Sequence, residues 1–244
     1  MRIAFAGIAS SLTLILAAET PRAREIDAAD VRPNHPALAA FLSNGNAPPV
    51  RYRALRTLEA TTRGGRMRAT LKAWTSSSPE AGFTYSVVEE SGSALIIKKV
   101  LRAALEAERT ISDKGEGAQG ALTTANYDFV FAGEAGDGLI RVDIHPKRTE
   151  KLLIDGSVLL AAADSDLVSV QGMLVKRPSF WTRRVEVVRR YTHLAGVRVP
   201  IVMRSTADVL LAGTSTFEMT YAYQTLNGVE LVPAEQLEGA RPAP

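Results

Sequence analysis

Cysteine is absent from the 244 residues, so the fold cannot lean on disulfides and must be held by its core, which a chain of this length can supply. The same absence excludes lipidation at a cysteine following a leader. Histidine is scarce: His35, His145 and His193 lie far apart, and none has a second ligand at a spacing such as His-x-x-x-His, so no metal is expected. Charge of one sign is also lacking. With 29 Lys+Arg against 26 Asp+Glu, the net charge is +3, and the basic residues are scattered along strands. That is not a nucleic-acid-binding profile, and its field would draw the protein only weakly to an anionic membrane surface. No Gly-x-Ser-x-Gly elbow is present, and Gly115, Gly117 and Gly120 follow a helix instead of joining a strand to one, as a phosphate loop would. The carboxylate pairs Glu89-Glu90 and Asp164 with Asp166 sit at a strand end and in an acidic turn, and neither argues for acid-base catalysis without a cleft. The sequence therefore points to no enzyme and to no cofactor.

The one long apolar run is N-terminal. Arg2 precedes Ile3 to Ala18, which matches the charged and apolar regions of a secretory signal. Cleavage near Ala18 is expected. The alternative, an uncleaved anchor, meets a run that is short for a span of about 20 residues. The protein is thus expected to be periplasmic or otherwise exported.

What is abundant is alternation. In Ile140-Arg141-Val142-Asp143-Ile144-His145 the apolar and polar residues take opposite faces of a pleated strand, and Phe217 to Tyr223 repeats the rhythm. From Tyr127 to Tyr223 one such segment follows another: Tyr127, Phe129 and Phe131 share a face, Val168 to Gly172 alternates, and Trp181, Val185, Val187 and Tyr191 oppose Arg184, Glu186 and Arg190. Ile201 to Thr206 reads as a strand. Asp155-Gly156, between two apolar triplets, is the strongest local hairpin signal. Upstream, Pro36 to Leu42 reads as a short helix ended by Asn44-Gly45, and Pro48-Pro49 breaks the chain. Val50 to Ala60 is ambiguous between helix and strand, with Leu55 and Leu58 at helical spacing. Arg66 to Thr75 alternates with its basic residues outward, and Phe83 to Val87 pairs with it.

One clear amphipathic helix is present. Ser91-Gly92-Ser93 offers N-cap candidates, and Ile97, Val100, Leu101, Ala104 and Leu105 recur at three- and four-residue steps up to Ile111, before a flexible Gly-rich loop from Asp113 to Gly120. Its job is to lay that stripe on a one-sided sheet, since membrane-surface binding would want a more basic polar face. The fold class that follows is α+β, mainly antiparallel β. The apolar face is either a packed core or, where the sheet curls away from its helix, a pocket fit for acyl chains.

The hairpin series Tyr127 to Glu134, Leu139 to His145, Leu152-Leu153-Ile154-Asp155-Gly156, Ser169-Val170-Gln171-Gly172, Lys176 to Trp181, Val197 to Pro200 and Tyr221-Ala222-Tyr223, after a leader and an early helix, resembles the LolA-like outer-membrane lipoprotein-sorting superfamily. The resemblance runs from Tyr52 to Asn227 and is closest to the exported members without a characterised role. It implies a strongly curved incomplete barrel, a half-barrel, with helices covering the open, concave side. On that arrangement residues 1–18 are the leader, 19–49 an N-terminal segment with a short helix, 50–235 one domain, and 236–244 a flexible tail. The cavity lining expected is Leu71, Phe83, Tyr85, Ile97, Leu101, Leu105, Phe129, Phe131, Val142, Val185, Val187, Phe217, Met219 and Tyr221. The resemblance further implies a non-enzymatic carrier whose partners are lipid or lipoprotein acyl chains, with envelope proteins as further partners. It assigns no ligand-hook residue to a position in this chain. A structural or sensory envelope domain, its core filled by its own side chains, is the other reading.

Overall fold

The computed structural model describes residues 35–43, 51–176, 182–209 and 213–232, all within one compact unit, Val31–Pro244. The expected leader, the breaks at Asn44-Gly45 and Pro48-Pro49, Trp181 and the C-terminal tail lie outside these residues.

Alternation builds the molecule. Among the described residues eleven strands form one antiparallel sheet, β1 (Tyr52–Thr62), β2 (Met67–Ser78), β3 (Gly82–Gly92), β4 (Tyr127–Gly136), β5 (Leu139–Pro146), β6 (Ile154–Ala161), β7 (Leu167–Leu174), β8 (Thr182–Leu194), β9 (Val197–Val209), β10 (Gly213–Leu226) and the short β11 (Val229–Glu230). Their order is β3-β2-β1-β10-β9-β8-β7-β6-β5-β4, with β11 beside β10, and the sheet is not closed into a barrel. Residues directly opposite each other in a ladder share a face. Following the register Ala60–Phe217–Ser205–Val187–Gly172–Gly156–Ile144–Phe129 therefore traces one continuous face from β1 to β4.

The ambiguity of Val50 to Ala60 resolves as β1. Leu58 turns to this apolar face and is fully buried, while Leu55 packs on the opposite face against its cross-strand partner Trp74, with the Arg53 guanidinium 4.6 Å above the Trp74 ring. Helical spacing here is the sum of two strand faces, each with one leucine. Asp155-Gly156 is not a hairpin turn, contrary to the sequence expectation. Both residues lie inside β6, where Gly156 faces Gly172 of β7 so closely that a Cβ on Gly156 would stand 2.1 Å from the Gln171 carbonyl oxygen. The glycine serves a close strand approach, and the Asp side chain points to the polar face.

Two helical segments lie on the apolar face. The helix α1 (Pro36–Ser43) buries Ala37, Leu38 and Phe41 among residues of β4 to β8, with Phe41 edge-on to Phe129 at 6.5 Å and His35 stacked on Phe131 at 4.9 Å. The long helix is composite: α2 (Ala94–Ile96), a π-helical turn (Ile97–Leu101) and α3 (Arg102–Asp113). Of the three N-cap candidates, Ser91 and Gly92 belong to β3 and Ser93 takes the N-cap position in an extended conformation, without a capping hydrogen bond from its side chain. The stripe also differs from the expected one. Ile96, Leu101 and Leu105 are buried and Val100 is 39% exposed, because the wider π turn brings residues five apart into line before the ordinary four-residue step resumes. The loop that follows is not structureless: Gly115 takes a left-handed conformation and leads into a 3-10 turn, Glu116–Gly120. Among the described residues no helix is long and apolar enough to cross a membrane.

Candidate functional site

Apolar side chains collect into separate clusters instead of one continuous core. The first joins α1 to β4–β8; the second joins the long helix to β1–β3 and β10 around Leu58, Leu71, Phe83, Leu101, Leu105 and Met219. Between and beside them the covering is incomplete. A cavity of about 1130 Å³ lies with Ala60, Val185, Met203, Ser205, Ala207 and Phe217 as its sheet wall and Leu95, Ile96, Lys99, Val100, Ala103 and Ala104 of the long helix opposite. A second, of about 720 Å³, lies where Ile111, Ser112 and the Gly115–Leu122 segment stand over Ile154, Leu167 and Val170 of β6 and β7 and over Arg189, Tyr191 and Arg198 of β8 and β9. Both volumes are in the size range of small-molecule pockets, about 300–1,000 Å³ or slightly above it.

The side chains expected to line one cavity are split. Leu71, Phe83, Leu101, Leu105 and Met219, with Tyr85, Ile97, Phe217 and Tyr221 packed against them, lie in the cluster under the long helix; Phe129, Val142, Val185 and Val187, with Phe131, lie in the α1 cluster. Of these candidates, Val185 and Phe217 also reach the wall of the larger cavity, and none reaches the smaller.

Two arginines that were not among the expected site residues stand on the apolar face. Arg56 follows Ala54 and precedes Leu58 and Ala60 on the inward register of β1, and its side chain is 3% exposed. Its Nη1 donates to Glu108 Oε2 at 2.5 Å, and its Nη2 to Glu108 Oε1 at 2.9 Å and to the Tyr52 hydroxyl at 2.7 Å. The guanidinium carbon stands 4.6 Å from the Tyr221 ring centroid and 5.1 Å from that of Phe83. Burial works against this charge, but the Glu108 carboxylate outweighs it and raises the guanidinium above its ordinary value. A bidentate ion pair thus ties α3 to the centre of β1. Burial also pushes the hydroxyls of Tyr52, Tyr221 and Tyr223 upward, with Arg56 pulling each the other way. Arg189 occupies the matching position on β8, one alternation beyond Val185 and Val187. The signal for both was in the sequence: a cation in phase with the apolar set.

The polar groups weighed for chemistry are dispersed on the outer face or at its rim. His145 Nδ1 meets Asp155 at 2.9 Å and Lys147 meets Asp128 at 3.3 Å, while on the neighbouring strands β9 and β10, beyond β7 and β8, Arg204 donates to Glu218 at 2.6 Å. Asp166 bridges Arg198 and His193, Glu89 pairs with Lys72 and Glu90 with Arg102. Among the described residues no group of three His, Cys, Asp or Glu converges as a metal site.

No protein-family model matches the chain, and no curated protein matches it. Solved structures do resemble it. A DUF1329 family protein from Desulfovibrio piger ATCC 29098 is similar with a TM-score of 0.42 and 10% identity, over 77% of this chain and 92% of that one. The LolA superfamily protein NE2245 from Nitrosomonas europaea is similar with a TM-score of 0.39 and 9% identity, over 82% of this chain and 96% of that one.

Proposed function

We propose that the protein is an exported, non-enzymatic carrier that shelters a lipid, or the acyl chains of a lipoprotein, between its long helix and a sheet curved as a half-barrel. The observation that supports this reading is the open cavity of about 1130 Å³ against the π turn, walled on the sheet side by Ala60, Val185, Met203, Ala207 and Phe217. A self-filled core would leave no such space, and small residues at Ala60, Ala103, Ala104 and Ala207 keep it open. An acyl chain gains about 0.8 kcal/mol per methylene taken from water, with no polar partner required. Lifting of the long helix admits the chain, and the Arg56–Glu108 pair is what must part for α3 to lift.

Native mass spectrometry after mild extraction is expected to show a bound lipid. Ala103→Trp, at an exposed helix position on the cavity wall, is expected to keep the thermal midpoint and lose the adduct. A clean unliganded mass that takes up neither added lipid nor a lipidated protein would sink the reading.

A further inference from the structure

The smaller cavity has a different chemistry from the larger, and nothing in the carrier reading accounts for it. Its walls are apolar at Leu122, Leu152, Ile154, Leu167 and Val170, yet the apolar strand face delivers Arg189 into it. Arg189 lies between Val170 of β7 and Met203 of β9 in the ladders, so its immediate cross-strand side chains offer it no oxygen acceptor. Its Nε is buried and has no hydrogen-bond partner. The other cation at the cavity is matched: Arg198 is paired with Asp166. No carboxylate lines the cavity among the described residues. Tyr127 adds a second donor. Its hydroxyl oxygen accepts the Ile154 N–H at 3.1 Å, and no hydrogen bond given by its own proton occurs among the described residues.

Arg189 keeps its Nε shut off from water with no acceptor while the side chain as a whole is half-buried, and what answers a guanidinium edge most directly is an anion with two oxygens in its plane. We infer that this cavity is a binding site for an anionic amphiphile, whose oxyanion head is held by Arg189 and the Tyr127 hydroxyl and whose apolar chain lies against Ile154, Leu167 and Val170. A bare oxyanion would fill little of about 720 Å³ and would leave the apolar walls wet. A neutral lipid would fill the space and leave Arg189 unanswered. The inference concerns a cavity separate from the one proposed for acyl chains, and either can fail alone.

Laurate, lauryl alcohol and inorganic phosphate, titrated calorimetrically into the purified protein at fixed ionic strength, separate the possibilities. Laurate is expected to bind at least tenfold more tightly than the alcohol, and phosphate at the same concentration is expected not to displace it. Arg189→Met is expected to weaken laurate roughly ten- to a hundredfold, the loss of a charge-assisted hydrogen bond, and to leave lauryl alcohol unchanged. Arg189→Lys is expected to fall between. Laurate binding that persists in Ala103→Trp but is lost in Arg189→Met assigns it to this cavity and not to the larger one. Equal affinity for laurate and its alcohol in the unmodified protein, undiminished laurate binding by folded Arg189→Met, or displacement of laurate by equimolar phosphate would each overturn the inference. The first and third comparisons need no variant to fold.

Discussion

The guanidinium of Arg56 and the carboxylate of Glu108 meet with very different access to water, 3% of one side chain exposed against 40% of the other. That inequality makes the pair asymmetric to mutation. Glu108→Ala leaves a buried cation facing no carboxylate, with the Tyr52 hydroxyl, the Met219 sulfur and the faces of Tyr221 and Phe83 around it, and a loss of about 2–4 kcal/mol is expected, near the range for breaking a buried pair. Arg56→Met removes the buried charge and leaves a carboxylate that already touches solvent, so a change within about 1 kcal/mol of zero is expected despite loss of the same contact. Urea denaturation of the two variants checks the order; equal losses would mean that the pair is worth its Coulombic attraction and little else. Both arginines on the apolar face were readable as exceptions to alternation. What was not readable is that one finds a carboxylate from a helix 52 residues away while the other finds none among the described residues.

At the scale of elements, the β6–β7 ladder depends on two glycines meeting. A Cβ on Gly172 would lie 2.3 Å from the Asp155 carbonyl oxygen and 2.7 Å from the Gly156 Cα, and the obstacle in each case is backbone, which cannot swing away. Gly156→Ala is expected to cost about 1–3 kcal/mol, the usual range for forcing atoms into a packed site, and to raise amide exchange along β6 and β7 before the rest of the sheet. Uniform exchange with an unchanged midpoint would show that the strands part freely. The existence of nearly every strand was legible because one wet face leaves a period-2 trace. The Asp155-Gly156 turn was misread because local turn chemistry and a close inter-strand approach ask for the same residue. The π turn left no trace at all: Ile96, Leu101 and Leu105 fit the burial, but Ile97 and Val100 fit an ideal helix better. The cavities followed from that kind of detail, namely which apolar residues are small and where the helix loses its phase.

At the scale of the whole molecule, buried phenols make stability sensitive to alkali. Tyr52, Tyr221 and Tyr223 are each raised by burial relative to the unfolded chain, where tyrosine titrates near about 10. A group raised in the folded state gives its full contribution below the unfolded value, and that contribution is lost as pH rises past it toward the folded value. The denaturation midpoint is therefore expected to hold between about pH 7 and 9 and to fall steeply from about pH 10 upward. Tyr223→Phe, which gives up the 2.9 Å bond to the Pro200 carbonyl, is expected to start lower at neutral pH and to fall less steeply. A midpoint flat through about pH 11 would contradict the assignment.

The strand order has a mechanical meaning. β3 and β4 follow each other in the chain but form the two outer edges of the main sheet, so the stretch from Ser93 to Asn126 spans from one edge to the other across the apolar face. Nine inter-strand gaps of about 4.8 Å would be roughly 43 Å if laid flat, against roughly 30 Å for the long helix itself. That stretch links the two edges through the chain as a string links the ends of a bow. On the carrier reading proposed above, a guest that pushed the helix outward would also have to draw those edges together or take up length from Gly115 to Gly120, so that filling the interior and flexing the sheet would be a single motion.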